Sequence, residues 1–158
     1  MVSALQNANG ICLEELVHTR ERHLNGRQAR VEAHQRLYRL QDSHLIRHEG
    51  DKGAERQRAV DDAMTAIERL PLPFIAAING HCLGGGLQLA LVCDYRLAVA
   101  EATLGLPAVK ECLIPSMALY RLPRMIGAAR ARALILTGEP ISATHAREYG
   151  LVDRVVPG

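Results

Sequence analysis

Three glycines stand in a row at positions 84–86, inside the run Asn79-Gly80-His81-Cys82-Leu83-Gly84-Gly85-Gly86-Leu87-Gln88, and no other stretch constrains the fold of this chain as strongly. Before it, Phe74-Ile75-Ala76-Ala77-Ile78 is a short apolar run of the kind a buried strand makes. After it, Leu87 to about Cys93 reads as a helix. The glycines therefore occupy a strand-to-helix turn. Without a Cβ, the backbone there can take dihedrals closed to other residues, and a ligand can approach the main chain. The first amides of a helix have no internal partner, and the helix dipole favours negative charge beside them. Such a turn is suited to holding an oxyanion, and in a typical enzyme the loss of one such donor costs roughly 3–4 kcal/mol of transition-state stabilisation. From spacing alone, tight packing of helix against strand accounts for the glycines equally well. Nucleotide binding finds little support, because no Gly-Lys-Ser/Thr follows and no GxGxxG leads to an acidic residue about 20 positions on.

The rest of the chain divides near residue 50. Residues 1–53 form a polar segment rich in Arg and His, whose periodicity predicts helices from Ile11 to about Leu24 and from Gln28 to about Ile46. Residues 54–158 form the second part. It opens with a helix from Ala54 to Leu70, carrying Val60, Ala63, Met64 and Ile67 as its apolar stripe and stopped by Pro71 and Pro73. Tyr95 to Val99 reads as a strand, Leu104 to Pro115 as a loop or extended segment, and Arg130 to Thr137 as a helix closed by Gly138. Ser142 is placed to cap a helix running to Tyr149 and ended by Gly150, with a last strand over Leu151 to Val156. Strands alternating with helices predict an α/β architecture.

Composition narrows the function. Hydrophobic residues make up 48% of the 158 positions and the net charge is +2, which fits a globular domain and gives no reason to expect a nucleic-acid or membrane partner. No basic stretch followed by an apolar run marks a signal peptide, and no run approaches the roughly 20 apolar residues of a membrane span. The dispersed cysteines Cys12, Cys82, Cys93 and Cys112 contain no CxxC pair, so a reducing cytoplasm is the expected location, with Cys82 and Cys93 acting as small buried hydrophobes. His44 and His48 could share a helix face, but no Cys or carboxylate cluster completes a metal site there, and none is expected. The arginines from Arg20 to Arg58 alternate with Glu and Asp and read as a salt-bridged surface.

The run PFIAAINGHCLGGGLQLALVCDYRLAVAEATLGLP, continued by LIPSMALYRLPRMIGAARARALILTGEPISATHAREYGLVDRVVP, resembles the signature of the crotonase (enoyl-CoA hydratase/isomerase) superfamily over about residues 54–157. The resemblance implies a core of repeated ββα turns, here truncated and preceded by the helical N-terminal segment. It also implies an acyl-CoA thioester substrate, with coenzyme A entering as part of that substrate and no permanently bound cofactor. An oxyanion hole of two backbone amides would stabilise an enolate, and Gly85 matches the donor of one of them. Assembly as a trimer or a pair of trimers follows as an expectation.

Two departures bear on chemistry. Hydratases of this family use two glutamates as general acid and base; here the matching positions are Gln88 and Ala108, after Leu106-Pro107. An amide or a methyl group cannot shuttle protons near neutral pH, so two-glutamate hydration is not expected. The pattern GGGxQ with LPAxKExxIP is similar to the cofactor-independent dioxygenases of (3,5-dihydroxyphenyl)acetyl-CoA, in which Gln88 would hydrogen-bond substrate or oxygen. A non-catalytic crotonase-like protein that binds CoA esters or a partner subunit is the other alternative. Glu111 could replace a missing carboxylate, although an ion-paired loop carboxylate beside Lys110 is the simpler reading, and His81 reads as structural. The segment supplying the second oxyanion amide is not found in residues 1–53. The candidate site thus comprises Gly85 and Gln88 for catalysis, with Leu83, Gly84, Gly86, Leu106, Pro107, Ala108 and Glu111 along the substrate.

Overall fold

The computed structural model describes residues 4–6, 11–14 and 50–158. The chain divides into two compact units, one made of Met1–Leu16 with Leu72–Gly158 and the other of Val17–Pro71. The described part of the second is helix α1, Gly50–Glu68, on which Ala63, Met64 and Ile67 are buried, three members of the stripe expected from sequence. It ends just before Pro71, as the missing proline amide requires.

The first unit contains two sheets. In the larger, β1 (Ala4–Gln6) and β2 (Ile11–Glu14) form an antiparallel pair, β2 runs antiparallel to β3 (Ile75–Ile78), and β5 (Tyr95–Val99) and β8 (Arg154–Val156) extend it in parallel, in the order β1-β2-β3-β5-β8. Ile11–Glu14 is therefore a strand and not the start of a helix. Its four residues are too few to show a period, and pairing with Ala76 and its neighbours decides their conformation. The remainder of the two helices expected in the N-terminal segment lies outside the described residues.

The smaller sheet has the order β4-β6-β7, with β4 at His81–Leu83, β6 at Thr103–Gly105 and β7 at Ile141–Ser142. Between the sheets' strands lie α2 (Gly85–Leu91), a 3-10 helix (Pro107–Glu111), α3 (Ala118–Ile126), α4 (Ala128–Thr137) and α5 (Ala143–Tyr149). Gly138 closes α4 and Gly150 closes α5, both with positive φ, and the Ser142 hydroxyl accepts from the His145 amide at 3.3 Å. These caps stand where the sequence predicts them. The core of this unit is aliphatic and small: Ile78, Cys82, Leu87, Ala90, Leu104, Leu106, Leu122, Leu151 and Val152 are all at or below 1% exposure.

Two polar locks hold the larger sheet's loops. The Phe74 amide donates to the Asp94 carboxylate at 2.7 Å, and the Asp94 amide returns a bond to the Phe74 carbonyl at 2.8 Å. Arg96 is buried, and its guanidinium donates to the carbonyls of Leu151 and Cys93 and pairs with Asp153 at 2.8 Å. A buried guanidinium is tolerable only when its donors are satisfied in this way.

Candidate active site

The site is built on one register. β4 and β6 run parallel, with His81 opposite Thr103, Cys82 opposite Leu104 and Leu83 opposite Gly105. The chain leaves β4 into Gly84 and leaves β6 into Leu106 at the same end of the sheet, so the glycine turn and the 3-10 helix emerge side by side. The expected turn over Asn79–Gly86 is thus shorter than read from sequence, because its middle is a strand made by pairing with β6.

Within the turn the three glycines do different things. Gly84 has φ 54 and ψ −117, a conformation costly for any residue with a Cβ, and its amide donates to the Gly105 carbonyl at 2.9 Å. Its carbonyl accepts from the Gln88 amide at 3.0 Å, which closes the first turn of α2. The amide of Gly85 donates to no protein acceptor among the described residues, and a Cβ added there meets nothing within 4 Å. Gly86 is buried. One amide of the triplet is consumed by the fold, and the next is left without a protein acceptor among the described residues, at an exposed residue.

Gln88 follows Gly85 by three residues, hence on the same side of α2. Its amide oxygen is occluded and has no hydrogen-bond partner among the described residues. An acceptor left so typically costs about 1–3 kcal/mol. Across the turn, Leu106 is wholly buried and anchors the start of the 3-10 helix, while Pro107 and Ala108 in its first turn are half-buried. Glu111 ends that helix and is exposed; its neighbour Lys110 pairs with Glu139 at 2.7 Å. His81 sits at the far end of β4, roughly 10 Å of strand from Gly84, and bonds Thr103 across the register at 2.7 Å. The register thus brings Leu83, Gly84, Gly85, Gln88, Leu106, Pro107 and Ala108 to one end of the sheet and sends His81 to the other.

Two buried thiols, Cys82 and Cys93, lie on either side of α2 in the sequence. Burial pushes Cys82 well above the ordinary thiol range, with Cys93 adding to it. Burial likewise pushes Cys93 up to about 12, partly opposed by the Arg96 charge and reinforced by Asp94. Both stay protonated at neutral pH, in keeping with small buried hydrophobes.

A profile of the family described as enoyl-CoA hydratase/isomerase matches residues 41–158. This chain belongs to the enoyl-CoA hydratase/isomerase family. Its 94 best-matching residues are 49% identical to the enoyl-CoA isomerase/hydratase fer4 of Mycosarcoma maydis, covering 58% of this chain and 34% of that protein. Among solved structures, an enoyl-CoA hydratase from Bacillus anthracis is 46% identical with a TM-score of 0.68, over 70% of this chain and 43% of the other. An enoyl-CoA hydratase from Thermoplasma volcanium is 28% identical with a TM-score of 0.69, over 72% and 46%. The chain spans less than half the length of these relatives. The family's α/β fold, expected from the glycine-centred signature, is therefore present in this member.

Sequence reasoning missed Gly105, Asp94, Arg96 and Asp153. Asp94 and Arg96 carried a signal, being charged residues within an otherwise apolar stretch from Phe74 to Val99. Gly105 carried none, since its role comes only from the parallel register with Leu83.

Proposed function

We propose that this family member binds an acyl-CoA thioester in front of the glycine turn and stabilises the enolate of its acyl group through the Gly85 amide. The unclaimed amide of Gly85, beside a Gly84 amide already bonded to Gly105, carries this reading. An oxyanion forming there would meet a donor that needs no reorganisation. Coenzyme A would arrive as part of the substrate, and no further cofactor is invoked.

Gln88 and Ala108 occupy the positions from which the resemblance expects two glutamates. Neither moves protons at neutral pH, so the reaction favoured is one in which enolate formation needs little help from the protein. An arylacetyl-CoA meets that condition, because its α-proton is acidified by both the ring and the thioester. Its enolate could react with oxygen directly, which is the dioxygenase reading. The lack of both carboxylates also favours a second reading, a non-catalytic protein that binds CoA esters. A homo-oligomer, trimer or hexamer, is part of the proposal and is supported by exposed apolar side chains at Leu113, Ile114, Leu119 and Tyr120, of which Ile114 is 74% exposed. Among the described residues no helix is long and apolar enough to cross a membrane. Work in a reducing cytoplasm is proposed from the free thiols Cys82, Cys93 and Cys112.

Incubation with crotonyl-CoA and with an arylacetyl-CoA, followed by ultraviolet absorbance and oxygen uptake, tests these readings. Oxygen uptake with the aryl thioester alone supports the dioxygenase reading. Binding without turnover of either supports the non-catalytic one. Absence of any CoA-ester binding overturns the site.

A further inference from the structure

The segment Gly138-Glu139-Pro140, between α4 and β7, touches both walls of the glycine site. A methyl group added to Gly138, whose φ is +63, would stand 2.8 Å from Val109 Cγ1 and 3.4 Å from the Lys110 side chain, both in the 3-10 helix. Glu139 pairs with Lys110 of the same helix at 2.7 Å. Pro140 Cα lies 2.9 Å from where a Cβ on Gly105 would be. Gly105 is the residue whose carbonyl holds the Gly84 amide. The segment is itself held: the Gly138 amide donates to the Leu134 carbonyl at 3.2 Å, and the Glu139 amide to the Thr137 hydroxyl at 3.2 Å, which in turn donates to the Ala133 carbonyl. Behind it, β7 pairs with β6, Ile141 opposite Leu104.

One loop therefore abuts the 3-10 helix at its start and the carbonyl anchor of the glycine turn at its end. We propose that Gly138-Glu139-Pro140 is a positioning brace, which sets the separation between the Gly84–Gly85 turn and the wall at Pro107–Ala108 and so the width available to the acyl group. Its importance to ligands rests on the function proposed above; its mechanical coupling does not. The close contacts at Gly138 and Gly105 carry most of the constraint, since an exposed pair such as Lys110–Glu139 contributes little to stability and serves mainly to fix direction.

The test uses the whole chain and two readouts. In the ligand-free protein, amide chemical shifts of Gly84, Gly85 and Ala108 report the geometry of both walls. With a β-ketoacyl-CoA, the near-ultraviolet absorbance of its enolate reports polarisation by the turn. Gly138→Ala is expected to shift all three amides and to weaken the enolate signal by roughly tenfold to a hundredfold, the scale of a misplacement near 1 Å. Gly138→Ala combined with Val109→Ala removes the contact while retaining the backbone strain, and is expected to restore both readouts. Should Gly138→Ala fail to fold, Glu139→Lys is expected to shift the Ala108 amide and the exchange with Lys110→Glu to restore it. Unmoved Gly84, Gly85 and Ala108 amides, or a double variant no better than the single, overturn the brace. Coupled shifts with no enolate signal in the wild-type protein uphold the brace and overturn Gly85 as an enolate donor.

Discussion

The Gly84 amide and the Gly105 carbonyl meet at 2.9 Å, joining the end of β4 to the end of β6. That bond commits the Gly84 amide to the fold, while the next amide, at Gly85, has no protein acceptor among the described residues. Adjacent glycines in the sequence thereby differ: one amide is bonded within the turn, and the other is the donor the proposed function uses.

The division predicts opposite behaviour on substitution. Gly84→Ala forces a Cβ into a φ of 54 and is expected to destabilise the fold by about 1–3 kcal/mol, read as a lower denaturation midpoint. A Cβ at Gly85 meets no neighbour within 4 Å and relieves a glycine in a helix, so in Gly85→Leu stability should hold or rise by up to about 1 kcal/mol while acyl-CoA binding is lost. Unchanged CoA-ester affinity in Gly85→Leu would sink the site assignment.

Gln88 and Ala108 follow the ends of β4 and β6 at one side of that pair, and the proposal above sets them where the resemblance expects the two carboxylates of hydration. The double variant Gln88→Glu, Ala108→Glu is expected to raise hydration of crotonyl-CoA by about 10²-fold or more over wild type, with either single change having a much smaller effect. Loss of crotonyl-CoA absorbance in a continuous assay measures this.

Arg96 joins β5 to the segment before β8 through Leu151, Asp153 and Cys93. Replacing it with Met keeps the bulk but removes the donor to the Leu151 and Cys93 carbonyls and leaves the Asp153 carboxylate with only the residue 96 main-chain amide, at 2.8 Å. We expect a loss of about 3–5 kcal/mol in urea unfolding, near the total stability of a marginal domain. A change below about 1 kcal/mol would show that water replaces the guanidinium.

Cys93 makes stability depend on alkaline pH. Its thiol is raised from 9.0 to about 12 by burial, so the folded state keeps a proton that the unfolded chain releases first. The contribution is complete below about pH 9 and is lost as pH rises from there toward 12. Denaturant titrations from pH 8 upward should show a falling midpoint, and Cys93→Ala should make that fall shallower, the remainder coming from the likewise buried Cys82.

What could be read directly from the chain are features set within a few residues: the glycine turn, the caps at Ser142, Gly138 and Gly150, the stripe at Ala63, Met64 and Ile67, and the family signature around Gly85. Each depends on local backbone preference or on helical spacing, which sequence displays. The three-residue strands β4 and β6, the strand at Ile11–Glu14 and the Arg96–Asp153 pair were decided by partners far along the chain, up to 57 positions away in that last case. Which glycine amide is bonded within the turn belongs with them. It depends on a carbonyl 21 residues downstream of Gly84, brought alongside only by the parallel register of β4 and β6, and a hydrogen bond of that kind leaves no periodic trace in sequence.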